Sequence, residues 1–318
     1  MDVPELSIVV PVYNVAPWLP ECLESIARQT FTAWECILVD DGSTDFSGII
    51  CDSYAKKDPR FRVIHQQNAG VSAARNAGIE EATAPLLAFI DPDDYISTNY
   101  FEAQIVAMRQ KGADITVTSV RAVAEDGTEG VHFLINYLNR SFRAAYHDAM
   151  TNNSEVIEAL CQNVFSCVCW CKVFKRSLWG YARFPVGIDL GEDMMTVPRV
   201  IVAANTAAVA EGATYYWRQR KKSLLHGTVS FERLVMDVWA STQMVTQLCE
   251  YAPIRKTAFE NLKFQYDMGC LQNFLLSNPG AKRDGSKLAI LQKAQDAANR
   301  RSWPTDETKL REAARSKE

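Results

Sequence analysis

Over its first 120 residues the chain repeats a single unit: a short β-branched run, a turn rich in Gly, Asn or Asp, and then an amphipathic helix. Leu6 to Tyr13 is an apolar run of the kind buried on both faces. After it Trp18, Leu19, Cys22, Leu23 and Ile26 recur at helical spacing, with Asn14 as the expected cap and Pro17 near the first turn. The second unit is Trp34 to Val39, the turn Asp40 to Asp45, and a helix carrying Phe46, Ile49, Ile50 and Tyr54. Arg60 to His65 opens a third, followed by a helix from about Val71 to Ala82, and Ala84 to Ile90 is a fourth strand. Alternation of this sort predicts an α/β fold with a mostly parallel sheet and helices on both faces.

In open sheets of this class ligands bind beyond the carboxyl ends of the strands. The polar clusters fall there: Asn14, Asp40 to Asp45, Gln66 to Gly70 and Asp91 to Asp94 each follow a strand, so four loops converge on one edge. A helix from about Ser97 to Lys111 and a strand from Asp114 to Val120 come next, then a turn at Glu125 to Gly127. The pattern then degrades. Residues 131 to 166 are polar and irregular, Leu190 to Ala204 reads as helical and Ala207 to Trp217 as a strand. Three further helices are expected at about 231 to 250, 255 to 277 and 286 to 300, with a frayed terminus after them. The division expected is a catalytic unit over 1–230, with donor binding in 1–120 and the acceptor side in 121–230, and a helical C-terminal region over 231–318.

Composition narrows the partners. With 34 Lys and Arg against 38 Asp and Glu, the 318-residue chain carries a net charge of -4. It has no bulk attraction for nucleic acid, so an anionic ligand must be held by a few placed groups or through a metal bridge. The apolar runs fall far short of the roughly 20 residues that span a bilayer. The start lacks a basic segment followed by an apolar one, so a cytoplasmic protein is expected. Nine cysteines, an odd and scattered set, are expected to be free thiols. Cys167, Cys169 and Cys171 alternate, and on a strand would share one face.

Chemistry concentrates in the loops. Asp91-Pro92-Asp93-Asp94 puts three carboxylates in one tight turn. Clustered like charges call for a hard divalent cation such as Mg2+ or Mn2+, completed by diphosphate oxygens, with a solvated acidic turn as the plainer alternative. In Asp40 to Asp45, Gly42 lets the backbone bend while an acid accepts from a ribose hydroxyl or a base N–H. Asn68-Ala69-Gly70 with Arg75 adds a cation at the same edge, free to pair with Asp93 or with a nucleotide.

Taken together, Ser7 to Asn14, Gln29-Thr30-Phe31, Val39 to Asp45, Asn68 to Gly78 and Asp91 to Asp94 resemble the family 2 glycosyltransferases, which have the Rossmann-like GT-A fold. The resemblance is continuous over about residues 5 to 120. Downstream, Trp170-Cys171-Lys172-Val173-Phe174 resembles the family's Trp-Asn-Lys-Leu-Tyr segment, with Cys171 in place of Asn. Gly191-Glu192-Asp193 resembles its helix-opening Glu-Asp pair. Tyr215 to Arg220, with Ser223 and His226, resembles its flexible loop that closes over the donor.

The resemblance implies a metal-dependent inverting glycosyltransferase using a nucleotide sugar, most often UDP-linked, on a carbohydrate or lipid-linked acceptor in polysaccharide or glycoconjugate assembly. Pro11, Val12 and Tyr13 would line the nucleoside pocket, Asp41 would bind base or ribose, and Asn68 and Arg75 would border the pocket. Asp93 would contact ribose, donor or metal. Asp94 would coordinate Mn2+ or Mg2+, His226 would be a further metal or phosphate contact, and Asp91 would stand behind them or meet the sugar. Asp193 would be the general base, supported by Glu192 and Lys172, while Arg218 or Arg220 would stabilise the leaving group. Two rivals are a nucleotidyltransferase, whose Gly-rich basic loop is missing from Val12 to Pro17, and a non-catalytic nucleotide-sugar-binding protein. Lys282, Arg283, Lys287, Lys293, Arg300 and Arg301 offer a peripheral contact with anionic lipid, against a solvated helical face.

Overall fold

The computed structural model describes residues 3–125, 128, 149–162, 166–188, 191–220, 230–278 and 287–300. Within them one mixed sheet forms the frame. Its strands are β1 (Leu6–Val12), β2 (Trp34–Asp40), β3 (Phe61–His65), β4 (Leu86–Phe89), β5 (Tyr95–Ile96), β6 (Ile115–Ala124), β7 (Ala149–Met150), β8 (Lys172–Lys175) and β9 (Ala207–Gln219). They run in the order β3-β2-β1-β4-β8-β6-β9-β5, with β7 paired to β9. β1 to β4 are mutually parallel, in register from Leu6 beside Trp34 and Leu86. β8 enters antiparallel between β4 and β6.

The parallel half forms where the sequence predicts it, because every residue of β1 and β2 is buried and only a strand covered on both faces tolerates that. The crossovers are α1 (Leu19–Ala27), α2 (Ser47–Lys57), α3 (Val71–Glu81) and α4 (Tyr100–Lys111). α3 lies unusually close to β1. A Cβ built on Gly78 would stand 2.3 Å from Val9 Cγ1, so only glycine lets the helix approach.

Three local expectations are corrected. Asn14 is not a helix cap: α1 begins at Leu19 with Trp18 as the boundary residue and Pro20, not Pro17, in its first turn. Asn14 instead sits at φ +50°, where the short amide tolerates the left-handed region. Cys167, Cys169 and Cys171 are buried free thiols, yet they lie in an irregular segment rather than on a strand, with Cys171 at φ +58°.

Beyond the sheet come α5 (Asn153–Cys161), α6 (Glu192–Val202), α7 (Phe231–Tyr251), α8 (Lys256–Ser277) and α9 (Lys287–Arg300). The last three match the expected C-terminal helices to within two residues. Met244, Val245, Leu248, Phe259 and Leu262 of α7 and α8 join the main core beneath the sheet, while α7, α8 and α9 close a second, smaller one around Leu234, Leu271 and Ala294. Among the described residues no helix is long and apolar enough to cross a membrane.

Candidate active site

The loops that follow β1, β2 and β3 are laced together by backbone hydrogen bonds to acidic and amide side chains. Asn14 Oδ1 accepts from the Thr44 N–H at 2.8 Å, and its own N–H donates to Ser43 Oγ at 3.1 Å. Asp41 is buried, and its carboxylate accepts from Gln66 Nε2 at 2.6 Å and from the N–H groups of Ala69 at 3.0 Å and Gly70 at 2.8 Å. The side chain expected to reach a nucleoside therefore pins the 66–70 loop. Pro11 and Val12 are buried at the end of β1, whereas Tyr13 and Asn68 are exposed, so of the residues expected around the nucleoside these two face outward.

The acidic turn after β4 divides its carboxylates by depth. Asp94 is 1% exposed and accepts from the Tyr215 hydroxyl at 2.8 Å and the Arg218 N–H at 2.7 Å. Tyr215 in turn receives the Asp91 N–H at 3.2 Å, so one phenol ties both ends of the turn to β9. Asp93 lies nearer the surface and forms an ion pair with Arg220 at 2.6 Å, whose guanidinium stands 4.6 Å from the Trp18 ring centre. Burial, then repulsion from Asp93 and Asp91, pushes the Asp94 carboxyl well above its ordinary range. Burial and Asp91 do the same, less strongly, to Asp93.

Arg218 was expected at the leaving group. The structure buries it, with Nε donating to the Asp93 carbonyl at 2.8 Å and Nη2 to Glu21, while Tyr95 stacks beside it at 5.3 Å. Residues Tyr215 to Gln219, which the resemblance puts in a flexible loop, belong to β9, in keeping with the strand read over Ala207 to Trp217, and are held by its register with β6. Trp170 stacks on Tyr215 at 4.8 Å and on Trp217 at 6.1 Å, which seats the loop before β8 against that strand. Ser223 and His226 lie outside the described residues.

Arg75 stands at the centre. It projects from α3, is 4% exposed, and pairs with Asp91 at 3.0 Å through Nη2 and with Glu192 at 2.9 Å and Asp193 at 3.0 Å through Nη1. Of the two partners expected, Asp93 or a nucleotide, the first is not met: the guanidinium reaches Asp91. Phe184 lies beneath it at 5.2 Å, and Asn76 next to it clasps the Phe184 backbone through two hydrogen bonds of 2.8 and 2.9 Å. Three carboxylates around one cation leave an excess of negative charge. Burial and the Asp193 charge push the Glu192 carboxyl up to about 7, and burial also raises Asp193. Asp193 Oδ2 accepts the Cys169 N–H at 3.2 Å. Lys172, fully buried, donates from Nζ to the Val168 carbonyl at 2.9 Å and to Ser166 Oγ at 3.2 Å, and so braces the loop that supplies that N–H.

Asn76, Tyr215 and Glu21 were not singled out from the sequence as site residues. Tyr215 carried a signal in its place in the aromatic run with Tyr216 and Trp217, and Asn76 in its place within the Asn68 to Gly78 motif; Glu21 carried none. Among the described residues no group of three His, Cys, Asp or Glu is arranged to hold a metal ion.

Comparison with known proteins gives a consistent picture. The model for "Glycosyl transferase family 2" matches residues 7–180. The glycosyltransferase GlyG of Streptococcus pneumoniae serotype 4 is 44% identical over 246 residues, spanning 74% of this chain and 78% of that protein. Other curated relatives are longer, and the chain spans only 31% and 33% of two of them. Among solved structures, S. aureus TarS 1-349 in complex with UDP-GlcNAc aligns with TM-score 0.61 at 21% identity over 92% of this chain and 88% of that one. The mannosyltransferase PcManGT from Pyrobaculum calidifontis, in complex with GDP-Man and Mn2+, aligns with TM-score 0.59 at 16% identity over 93% and 81%.

Proposed function

The chain belongs to glycosyl transferase family 2, and from that premise we propose that it moves a sugar, with inversion, from a UDP-linked donor to an acceptor hydroxyl with the help of a divalent cation. The observation that carries the proposal is the Arg75 cluster. One guanidinium joins Asp91, at the acidic turn after β4, to Asp193, at the start of α6. A donor held at the turn and a base at the helix therefore share one rigid cation and stand in fixed relation to each other.

The acceptor hydroxyl gives its proton to Asp193 as its oxygen forms a bond to the anomeric carbon. The bond from that carbon to the diphosphate oxygen breaks, and the nucleoside diphosphate leaves with the electron pair. One displacement with one base inverts the centre. Asp193 must be ionised to do this, and the Arg75 cation and the Cys169 N–H favour that form against its burial.

The acidic turn fits a hard divalent ion in its chemistry: its side-chain donors are all oxygens, and the mutual repulsion that adds to burial in raising Asp93 and Asp94 is what a cation would relieve. Asp93 and Asp91, whose side chains are 16% and 24% exposed, would hold it, with Asp94 fixing the turn behind them. When bound, the ion neutralises diphosphate charge. PcManGT with Mn2+ supports this reading. Arg220, beside Asp93, would meet the diphosphate, a role its ion pair with Asp93 supports.

The acceptor is a carbohydrate or lipid-linked sugar, the catalytic unit is residues 1–230, and Lys293 and Arg300 of α9 contribute to a peripheral contact with anionic lipid. Release of UDP from a panel of UDP-sugars, with and without Mn2+, tests the core of this proposal. Turnover that needs Mn2+ and disappears in Asp193→Asn with UDP affinity intact is expected. No turnover with any donor, or full transfer by Asp193→Asn, overturns it.

A further inference from the structure

Arg75 holds one oxygen of Asp193, and the remaining contact and the backbone that carries Asp193 come from segments that rest on the C-terminal helices. Its Oδ2 is held by the Cys169 N–H, and Cys169 belongs to the irregular 166–171 segment, which meets the sheet through the Thr118 N–H on the Cys171 carbonyl and through Trp170 on β9. Lys172 braces that segment from the β8 side. From the other side Tyr266 of α8 reaches in, its hydroxyl 2.7 Å from Cys167 Sγ, two residues before the N–H that Asp193 uses. Burial raises the Cys167 thiol to about 12, so it is a neutral S–H that shares a hydrogen bond with the phenol rather than a thiolate.

The backbone entering α6 rests on the same helices. Gly191, immediately before Glu192 and Asp193, adopts φ +86°, and a Cβ built on it would lie 2.7 Å from the Ala240 Cβ of α7. The α7 helix therefore abuts the turn that launches the acidic pair, and glycine is demanded there both by the torsion and by the contact. The two approaches to Asp193, through Cys169 and through Gly191, thus each end on the α7–α8 pair.

We infer that α7 and α8 form the rear wall of the catalytic centre and that Tyr266 is a positioning residue for Asp193, acting through Cys167 and the Cys169 N–H. The inference rests on the reading of Asp193 as the base. It assigns a task to a region that shares no motif with the family resemblance, and it differs from a purely structural role in what it predicts: a loose base slows the chemical step while leaving the donor site on the far side of Arg75 as it was.

The test is a double-mutant cycle in the full chain: wild type, Tyr266→Phe, Cys167→Ala and the pair, with Cys167→Ser as the conservative variant. For the UDP-sugar that gives the fastest transfer, Tyr266→Phe should lower kcat about tenfold with donor KM unchanged, since a small misplacement of a catalytic group is costly. The Cys167→Ala effect should be less than additive with it, and Cys167→Ser should recover most of the rate. Amide exchange at Cys169 should quicken by about tenfold in Tyr266→Phe while global unfolding shifts little, a readout that needs no donor. Unchanged kcat and unchanged Cys169 exchange in Tyr266→Phe, with Asp193→Asn inactive, overturn the inference and leave the base reading intact. Full transfer by Asp193→Asn overturns the base reading itself.

Discussion

Arg75 Nη1 stands 3.0 Å from the Asp193 carboxylate, and the two residues, 118 positions apart in the chain, form an ion pair almost closed off from solvent. The same nitrogen serves Glu192, and the other terminal nitrogen serves Asp91. A buried cation with three acidic partners is a structural keystone as well as an electrostatic one, because removing it strands all three.

Arg75→Met should therefore be costly. Breaking a buried pair from one side leaves uncompensated charge, at about 3–5 kcal/mol in comparable cases. Urea unfolding should show a loss in that range at pH 8 and a smaller one at pH 5, where the stranded carboxyls take up protons. A loss below about 1 kcal/mol at pH 8 would mean that the cluster is screened more than its burial indicates.

Glu192 gives the fold a pH dependence of definite sign. Its carboxyl is raised from 4.5 to about 7, first by burial and then by Asp193, so the folded chain holds this proton more tightly than the unfolded one. The stability linked to it is fully present below about 4.5 and is lost as pH rises through about 7, amounting to roughly 3 kcal/mol at most. Carboxyls that folding lowers, such as Asp58 and Asp114, act in the opposite sense at lower pH, whereas Asp237, raised by burial to about 6, and His65, raised by its bonds to Asp40 and Asp52, share the sign of Glu192 between pH 5 and 8, so its part is read as the difference between wild type and a Glu192 variant. Glu192→Gln should reduce the slope of the unfolding free energy across that window. By removing a neighbouring negative charge it should also move the rising limb of the transfer rate to lower pH. A wild-type slope retained in the variant would assign the proton to another group.

The parts of this picture legible in the sequence are those with a local cause. β1 to β4 announce themselves because each is a short run dominated by β-branched and other apolar residues and ended by a polar turn, though β3 carries Arg62 and is only half-buried, and the four loops at one sheet edge follow from that alternation alone. The insertion of β8 between β4 and β6 has no local signal, and the two-residue β5 exists only through its pairing with β9. The acids were placed at the correct loops, but composition cannot say which way a carboxylate turns. Asp41 and Asp94 point inward because backbone N–H groups at 69, 70 and 218 need acceptors there. Arg75 was visible as a cation at the edge; its three partners, 16, 117 and 118 residues away, were not.

Gly42 offers a test of the loop cluster around Asp41. It adopts φ +72°, and an added Cβ would lie 2.8 Å from the Asn68 N and 3.2 Å from the Gln66 carbonyl, both of them backbone atoms with little freedom to yield. Gly42→Ala should cost about 1–3 kcal/mol, from the left-handed torsion and the displaced loop together. UDP affinity should fall with it, because Asn68 sits on the loop that must move. Calorimetric unfolding and a UDP titration check the two effects separately, and an alanine tolerated in both would show that the loops are not packed as tightly as their hydrogen bonds indicate.

The acidic turn allows the metal and the scaffold to be separated by two substitutions of the same kind. Asp94 accepts from the Tyr215 hydroxyl and the Arg218 N–H with different oxygens, so Asp94→Asn leaves one carbonyl oxygen for two donors in a buried site. That should cost about 1–3 kcal/mol, the usual penalty for an unmet buried polar group. Mn2+ dependence should be retained in whatever enzyme remains folded. Asp93→Asn instead releases only the partly exposed Arg220, so its effect on stability should stay within about 1 kcal/mol, while the Mn2+ concentration needed for half-maximal donor turnover should rise by about tenfold or more. Thermal unfolding and a Mn2+ titration of UDP release from the best donor give both numbers on both variants. If Asp94→Asn kept its stability and lost its response to Mn2+, the deeper carboxylate would be the metal ligand after all, and the Tyr215 and Arg218 contacts would be those of a site waiting for its ion.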